Sequence, residues 1–162
     1  MALKPQRTQG LWDISAFMNS TAERGGIVSF SSATASGVAM DQAEMTVDYV
    51  ANPSGVVPFG MLMQDVVNKD LTQTFLDPYK DEVQVGSKVA TQSICEVTTD
   101  RIYPGHTPSA GSTAYIGHSG YIASSDVAND DSDSTGATRI VGQFRSAKDE
   151  NGFAKVRINI VR

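Results

Sequence analysis

The sequence predicts an all-β protein, a single small β-barrel or sandwich with an extended N-terminal arm and a C-terminal β-hairpin. Between positions 154 and 160 every second residue is apolar: Ala154, Val156, Ile158 and Ile160. A period of two places these side chains on one face of a β-strand. Elsewhere, short runs of β-forming residues are separated at near-regular intervals by turn-forming Gly, Pro and Asn. This spacing is typical of sandwiches and barrels, and no long helix or internal repeat is predicted.

The hairpin is predicted from two arms that flank a polar, charged segment. That segment ends in Asn151-Gly152, and both residue types tolerate the positive φ that a tight return of the chain requires. In the first arm we expect Ile140, Gly142 and Phe144 to share the inner face. The second arm is so regularly patterned that it must pair and bury a face, and we interpret it as the closing strand of the barrel or sandwich.

Further strands are predicted upstream of the hairpin. Pro58 and Gly60 lie inside the most apolar stretch, which therefore predicts a kinked or bulged strand. Met61, Leu62 and Met63 of that stretch are expected to fill the interior. The predicted strand-forming segments are 27–30, 45–50, 56–67, 83–97 with a break at Gly86-Ser87, and 113–123 as two short arms.

The domain organisation follows from length and from the polar start of the chain. A chain of 162 residues is long enough for one full core. Residues 1–25 are interpreted as an N-terminal arm, and residues 26–162 as the β-barrel-like domain. Within the arm, Ile14, Phe17 and Met18 have helical spacing, so a short helix or a turn is expected over 13–24.

Composition excludes several classes of function. The formal net charge of −5 argues against binding a nucleic-acid backbone, which needs a basic face. No apolar run approaches the roughly 20 residues needed to cross a bilayer. The single Cys95 excludes an internal disulfide, and its position in an apolar period predicts a small buried side chain. We therefore expect no nucleic-acid partner, no membrane partner and no cofactor.

Candidate catalytic residues are few. His106 and His118 are the only histidines, each in a Gly-rich loop, and neither lies beside a known nucleophile or zinc motif. Solvated loop histidines are the favoured interpretation, so we expect a protein that is not an enzyme, without catalytic residues.

An acidic run offers one candidate metal site. The run contains Asp126, Asp130, Asp131 and Asp133. Read from Asn129, it has the pattern Asn-x-Asp-x-Asp, which matches the first three ligand positions of a helix–loop–helix calcium loop. Later positions fail that pattern, because Ser134 replaces the required Gly and Ile140 replaces the bidentate Glu. A solvated loop is favoured over a metal site.

The C-terminal half resembles the small capsid decoration, or cement, proteins of tailed bacteriophages. The resemblance covers roughly residues 83–162 and rests on the short motifs 111–116 followed by 120–122, and 140–144 followed by 149–153 and 156–158. It implies a β-barrel-like virion protein that binds the outside of an assembled capsid. It also implies the major capsid protein as partner, self-association with a homotrimer favoured over a dimer, and no catalytic residues.

The N-terminal arm is the candidate contact segment. Proteins of this family often grip the shell with such an arm, so the candidate capsid- or subunit-binding residues are Leu3, Pro5, Leu11 and Trp12. For Trp12 two alternatives stay open: packing on its own barrel, or reaching a neighbouring subunit. The cationic side chains of the last strand are a possible binding stripe, but we interpret them as the solvated face of that strand. The expected contact surface is therefore the arm and not the hairpin.

Three classes of function follow. The leading hypothesis is a non-enzymatic virion protein on the capsid exterior that cements neighbouring capsid subunits. The second is another phage structural subunit, from the tail tube, the collar or the fibre base. The third is a carbohydrate-binding β-domain, with a loop surface formed by Tyr103, Tyr115, Tyr121 and His118.

Overall fold

The computed structural model describes residues 3–4, 10–31, 45–69, 81–125 and 138–160. Within these ranges the chain is built of β-strands, with one short 3-10 turn at His118–Gly120 and no α-helix. The all-β prediction is confirmed. The strands are β1 (Leu3–Lys4), β2 (Leu11–Asp13), β3 (Phe17–Met18), β4 (Ile27–Phe30), β5 (Thr46–Asp48), β6 (Pro58–Leu62), β7 (Asp65–Val67), β8 (Glu82–Gln84), β9 (Thr91–Thr99), β10 (Thr113–Ile116), β11 (Ile122–Ala123), β12 (Ile140–Phe144) and β13 (Ala154–Asn159).

Most strands belong to one large mixed sheet. Its order is β11-β10-β12-β13-β9-β6-β4-β5-β3, with β1 and β2 added to β9, while β7 and β8 form a separate parallel pair. All pairings in the large sheet are antiparallel except that between β3 and β5. Among the described strands, β11 and β3 at the two ends of the order do not pair with each other. The sheet is therefore open, and of the two predicted architectures the closed barrel is not the one observed.

Strand β9 organises the sheet. It pairs with β13 from Thr99 to Ile94 and with β6 at Gln92 and Thr91. It also pairs with β1 at Thr99 and Thr98 and with β2 from Ile94 to Thr91. Because a strand has only two edges, β1 lies across β9 from β13, and β2 lies across β9 from β6.

The core consists of two clusters of buried apolar side chains. In β4, Ile27 belongs to the first cluster and Val28 to the second, and in β6 Met61 and Leu62 are divided in the same way. Since consecutive residues of a strand point to opposite faces, both faces of this part of the sheet are covered. This layered packing is compatible with a sandwich. The prediction that Met61 and Leu62 fill the interior is confirmed, and Met63 is partly buried against the first cluster.

The C-terminal hairpin forms as predicted. β12 and β13 pair antiparallel with Phe144 opposite Val156, and Gly152 has a positive φ of 87° in the turn. The Asp149 carboxylate holds that turn by accepting the backbone N–H groups of Asn151 at 3.0 Å and Phe153 at 2.7 Å. β13 nevertheless lies between β12 and β9 rather than closing the sheet.

The inner face of β12 differs from the predicted one. The register runs from Ala114↔Gly142 to Tyr115↔Ile140, so Val141 is inserted as a β-bulge. The bulge shifts the alternation by one residue. Val141 and Phe144 are therefore fully buried, whereas Ile140 is 62% exposed, and its predicted inward orientation is wrong.

The segment predicted as a short helix or turn contains strand β3 instead. The backbone N–H of Phe17 donates to the carbonyl of Met45 at 3.0 Å, and that of Met18 donates to the carbonyl of Ser87 at 3.3 Å. These non-local bonds replace the local ones that a helix would make. Phe17 and Met18 are buried although Ile14 is 66% exposed, so the helical spacing of these three residues was coincidental.

Gly142 lies where β12 and β13 approach each other closely. A Cβ atom at this position would lie 2.0 Å from the carbonyl oxygen of Arg157 on β13. That distance is well below van der Waals contact, so any side chain would force β12 and β13 apart. The close packing of β12 against β13 thus explains why the motif 140–144 has a glycine at position 142.

We expect Gly142→Ala to lower the free energy of unfolding by at least about 2 kcal/mol, because overpacking of this size costs that much in well-packed proteins. Urea denaturation measures the effect. Gly55→Ala is the matched control, since Gly55 has a positive φ of 69° but nothing within 4 Å of a Cβ atom. Its expected cost is about 1 kcal/mol from backbone strain alone. Equal costs for the two variants would contradict the steric explanation.

Candidate interaction surface

The start of the predicted arm is part of the core. Leu3 pairs with Thr99 of β9 and is only 6% exposed, packed in the first apolar cluster. Leu3, at the start of the predicted arm, is therefore held by the protein's own fold. Pro5, the second candidate contact residue, lies outside the described residues.

Strand β2 and the residue that follows it present large apolar side chains to solvent. Leu11 is 62% exposed, Trp12 56% and Ile14 66%. In the described part of the chain, β2 pairs only with β9, so its second edge is open. An open edge carrying exposed apolar side chains is a template for pairing with another chain. Trp12 lies opposite Gln92 of its own β9 and keeps more than half of its surface exposed, so both alternatives for this residue stay predictions.

A fourth apolar residue continues this surface onto β9. Ile94 lies directly opposite Leu11 and is 39% exposed, and residues opposite each other in an antiparallel pair project to the same face. We call Leu11, Trp12, Ile14 and Ile94 the apolar edge. Sequence reasoning identified Leu11 and Trp12 but missed Ile94. The alternation of β9 contained the signal, because Ser93, Cys95 and Val97 are buried and Ile94 lies between them on the opposite, outer face.

Cationic residues lie beside the apolar edge. Lys155 Nζ is 2.8 Å from Glu96 Oε1, and this hydrogen bond, with the charges of Lys155, Arg145 and Arg157, lowers the pKa of Glu96. We call the three cations around this carboxylate the basic stripe. Arg157 lies opposite Glu96, and Glu96 is two residues along β9 from Ile94. The hairpin face and the arm, which the sequence separated as alternative contact surfaces, are therefore neighbours on one side of the sheet.

An aromatic cluster brings together three of the four residues predicted for carbohydrate binding. The Tyr103 ring centroid lies 5.6 Å from that of His118 and 6.4 Å from that of Tyr121. His106 joins them at 5.0 Å, a member that sequence reasoning did not include. Tyr115, the fourth predicted residue, lies on β10 and has no ring contact with the cluster.

Both histidines connect loops. The His118 Nδ1 lies 2.7 Å from the carbonyl oxygen of Ala51, which can only accept, so this nitrogen carries the proton. The backbone N–H of Ser124 donates to His106 Nδ1 at 3.1 Å. Both side chains are half-buried, so they are more enclosed than the solvated loop residues that the sequence predicted.

A groove beside β7 and β8 is lined by three carboxylates, and each of them has a cationic partner. Arg101 contacts Glu23 at 2.8 Å, and Lys69 contacts Glu82 at 2.6 Å. Arg24 approaches Asp65 at 3.6 Å. Within the described ranges no three His, Cys, Asp or Glu side chains are arranged to hold a metal ion. The acidic run that begins at Asp126 lies outside those ranges.

Cys95 is buried on the inner face of β9. It is 2% exposed, and burial raises the pKa of its thiol to about 12. A thiol with so high a pKa is almost entirely protonated at neutral pH and is a poor nucleophile. The sequence-based expectation of a small buried side chain at this position is confirmed.

We expect Cys95 to resist a thiol-reactive dye at pH 8 in the folded protein and to react readily in about 6 M guanidinium chloride. A Cys95→Ala/Ile94→Cys variant is the matched control, because it moves the thiol by one residue to the outer face. Mass spectrometry of the labelled chains measures both rates. Rapid labelling of native Cys95 would contradict the burial described above.

No protein-family model matches the sequence, and a search of curated proteins returns no match either. The resemblance to capsid decoration proteins therefore stays a prediction. Across the residues that the structure describes, no helix combines the length and the apolarity that a membrane crossing demands.

Proposed function

We propose that this chain is a structural virion protein that binds the outer surface of an assembled phage capsid and stabilises it. The observation that carries the proposal is the apolar edge, where Leu11, Trp12 and Ile14 are each more than half exposed next to an open strand edge. Isolated exposed apolar residues are common on soluble proteins, but a contiguous group with a Trp is typical of an interface. The motifs of the C-terminal half supply the family expectation.

The proposed mechanism is cementing. Each copy bridges neighbouring copies of the major capsid protein, so opening the shell requires breaking the added contacts as well as the existing ones. Burying a large apolar side chain contributes about 1.5–3 kcal/mol. Many copies on one lattice multiply this effect, and self-association as a trimer, or alternatively a dimer, adds multivalency.

The proposed role is non-enzymatic, and the geometry of the candidate catalytic groups supports it. Both histidines bond to loop backbone, through Ala51 and Ser124. The one cysteine is buried in the core. The two histidines lie in the aromatic cluster around Tyr103, where each connects loops, whereas Cys95 fills the interior.

A carbohydrate-binding domain is the second candidate function. Its support is the aromatic cluster, since half-exposed rings with hydroxyl and imidazole groups suit the apolar faces and hydroxyls of sugars. A glycan-binding screen with the wild-type chain and Tyr103→Ala addresses it, with Tyr115→Ala as the control outside the cluster. Another phage structural subunit, of the tail tube, collar or fibre base, is the remaining alternative, for which ring or tube formation by the purified chain is the expected sign.

We expect the wild-type chain, co-expressed with the major capsid protein of the same genome, to add density outside the shells and to raise their melting temperature. Electron cryomicroscopy and calorimetry measure these two results. The double variant Leu11→Ser/Trp12→Ser is expected to lose most of the shell-bound protein, because two anchors are removed.

Ile140→Ser is the matched control, since Ile140 is as exposed as Leu11, at 62%, but lies on β12. It should bind like the wild type. Shells without added density and with an unchanged melting temperature would refute the proposed function. If all variants bound the shells equally, capsid binding would be supported, but the apolar edge would not be the contact surface.

A further inference from the structure

The sheet buries one face of β9 and β13 and leaves the other exposed. Val156 and Ile158 of β13 lie in the first apolar cluster, whereas Arg157 and Asn159 are exposed. Ile94 of β9 lies opposite Asn159 and is 39% exposed. Since alternate residues of a strand project to opposite faces, these exposed side chains share the outer face of the sheet. The apolar edge thus continues along this face into the basic stripe.

The basic stripe lies entirely on this outer face. Arg157 lies opposite Gln143 of β12, and Arg145, two residues farther along, donates its backbone N–H to the carbonyl of Lys155 at 2.7 Å. Among the outward residues of β9, β12 and β13, Glu96 is the one carboxylate, and it is already paired with Lys155. Arg145 and Arg157 form no ion pair within the described part of the chain. Their guanidinium groups are therefore available to a partner.

The charge of this face is opposite to that of the chain as a whole, whose formal net charge is −5. A second copy that presented the same face would oppose cations to cations, which is unfavourable. The groove beside β7 and β8 offers no complement either, because its three carboxylates each have a cationic partner. A different surface, one that carries unpaired carboxylates, is the complementary one.

An acidic protein surface matches both parts of this face better than a nucleic acid does. Phosphate groups would pair with the two arginines but would leave Leu11, Trp12 and Ile94 exposed, whereas a protein supplies carboxylates and apolar side chains together. Trp and Arg are also the residues in which the binding energy of protein interfaces is concentrated. The combination of apolar edge and basic stripe therefore favours a protein partner.

We propose that the capsid surface recognised by this chain is acidic, with carboxylates that contact Arg145 and Arg157 and apolar side chains that cover the apolar edge. This inference rests on the proposed function, because it names the chemistry of the partner at the same surface. Planar guanidinium groups form paired hydrogen bonds with carboxylates, so the two arginines fix the orientation of the chain on the shell. The cations of the hairpin, interpreted from the sequence as a solvated face, are then part of the contact.

Charge reversal tests the contact on shells of the major capsid protein assembled without this chain, with cosedimentation as the measure of affinity. We expect Arg145→Glu/Arg157→Glu to bind at least about tenfold more weakly than the wild type at about 50 mM salt, and the difference to shrink at about 500 mM, because salt screens the charges. Arg139→Glu/Lys148→Glu is the matched control, since it changes the net charge equally at two exposed residues outside the stripe. It should bind within about threefold of the wild type.

A charge-preserving variant identifies the partner group directly. Arg157→Lys places an amine in the stripe, and a carbodiimide is expected to link it as an amide to an Asp or Glu of the capsid protein, located by mass spectrometry. Equal loss of binding in both double variants, or links formed only within or between copies of this chain, would overturn the proposal. So would salt-sensitive binding of a DNA duplex that the stripe variant loses. A wild-type chain that does not bind the shells refutes the proposed function itself, whereas binding that is indifferent to the stripe refutes only this inference.

Discussion

The hydrogen-bonding capacity of β9 constrains the whole molecule. A strand has two edges, and β9 uses both, with β13 and β6 on one side and, at residues 91–94 and 98–99, β2 and β1 on the other. Its alternation then assigns the faces: Cys95 and Val97 enter the core, while Ile94 and Glu96 lie on the outer side. The apolar edge and the basic stripe are next to each other because both are attached to this one strand.

Close backbone approach imposes a second constraint. Tyr49 packs its ring against Gly120, and its hydroxyl accepts the N–H of Gly26 at 3.1 Å and donates to the carbonyl of Glu23 at 2.7 Å. A Cβ atom on Gly26 or Gly120 would collide with this tyrosine. Gly26 and Gly120 thus let three distant segments of the chain meet around Tyr49.

The sequence predicted what depends on local periodicity and turn chemistry. β13 and its Asn-Gly turn could be identified because alternation and positive φ are properties of neighbouring residues. The bulge at Val141 could not, because the inserted residue is defined by its partner strand β10. β3 was missed for a related reason: its bonds go to Met45 and Ser87, far away in the chain. The same limit applies to the candidate surface, where Leu11 and Trp12 were identified within their own segment but their contact with Ile94 depends on pairing.

The position of β9 in the sheet also dictates an order of events during synthesis. Its partners come from residues 3–4, 11–13, 58–62 and 154–159, so the sequence separations between paired residues are large. Such a topology has a high contact order and folds slowly, because the entropy of closing long loops is lost before the paired strands contribute stabilising contacts. The first apolar cluster gains Val156 and Ile158 only from β13. While a ribosome is still translating residues before 154, the edge of β9 that pairs with β13 is open, and the first cluster lacks the side chains that β13 supplies.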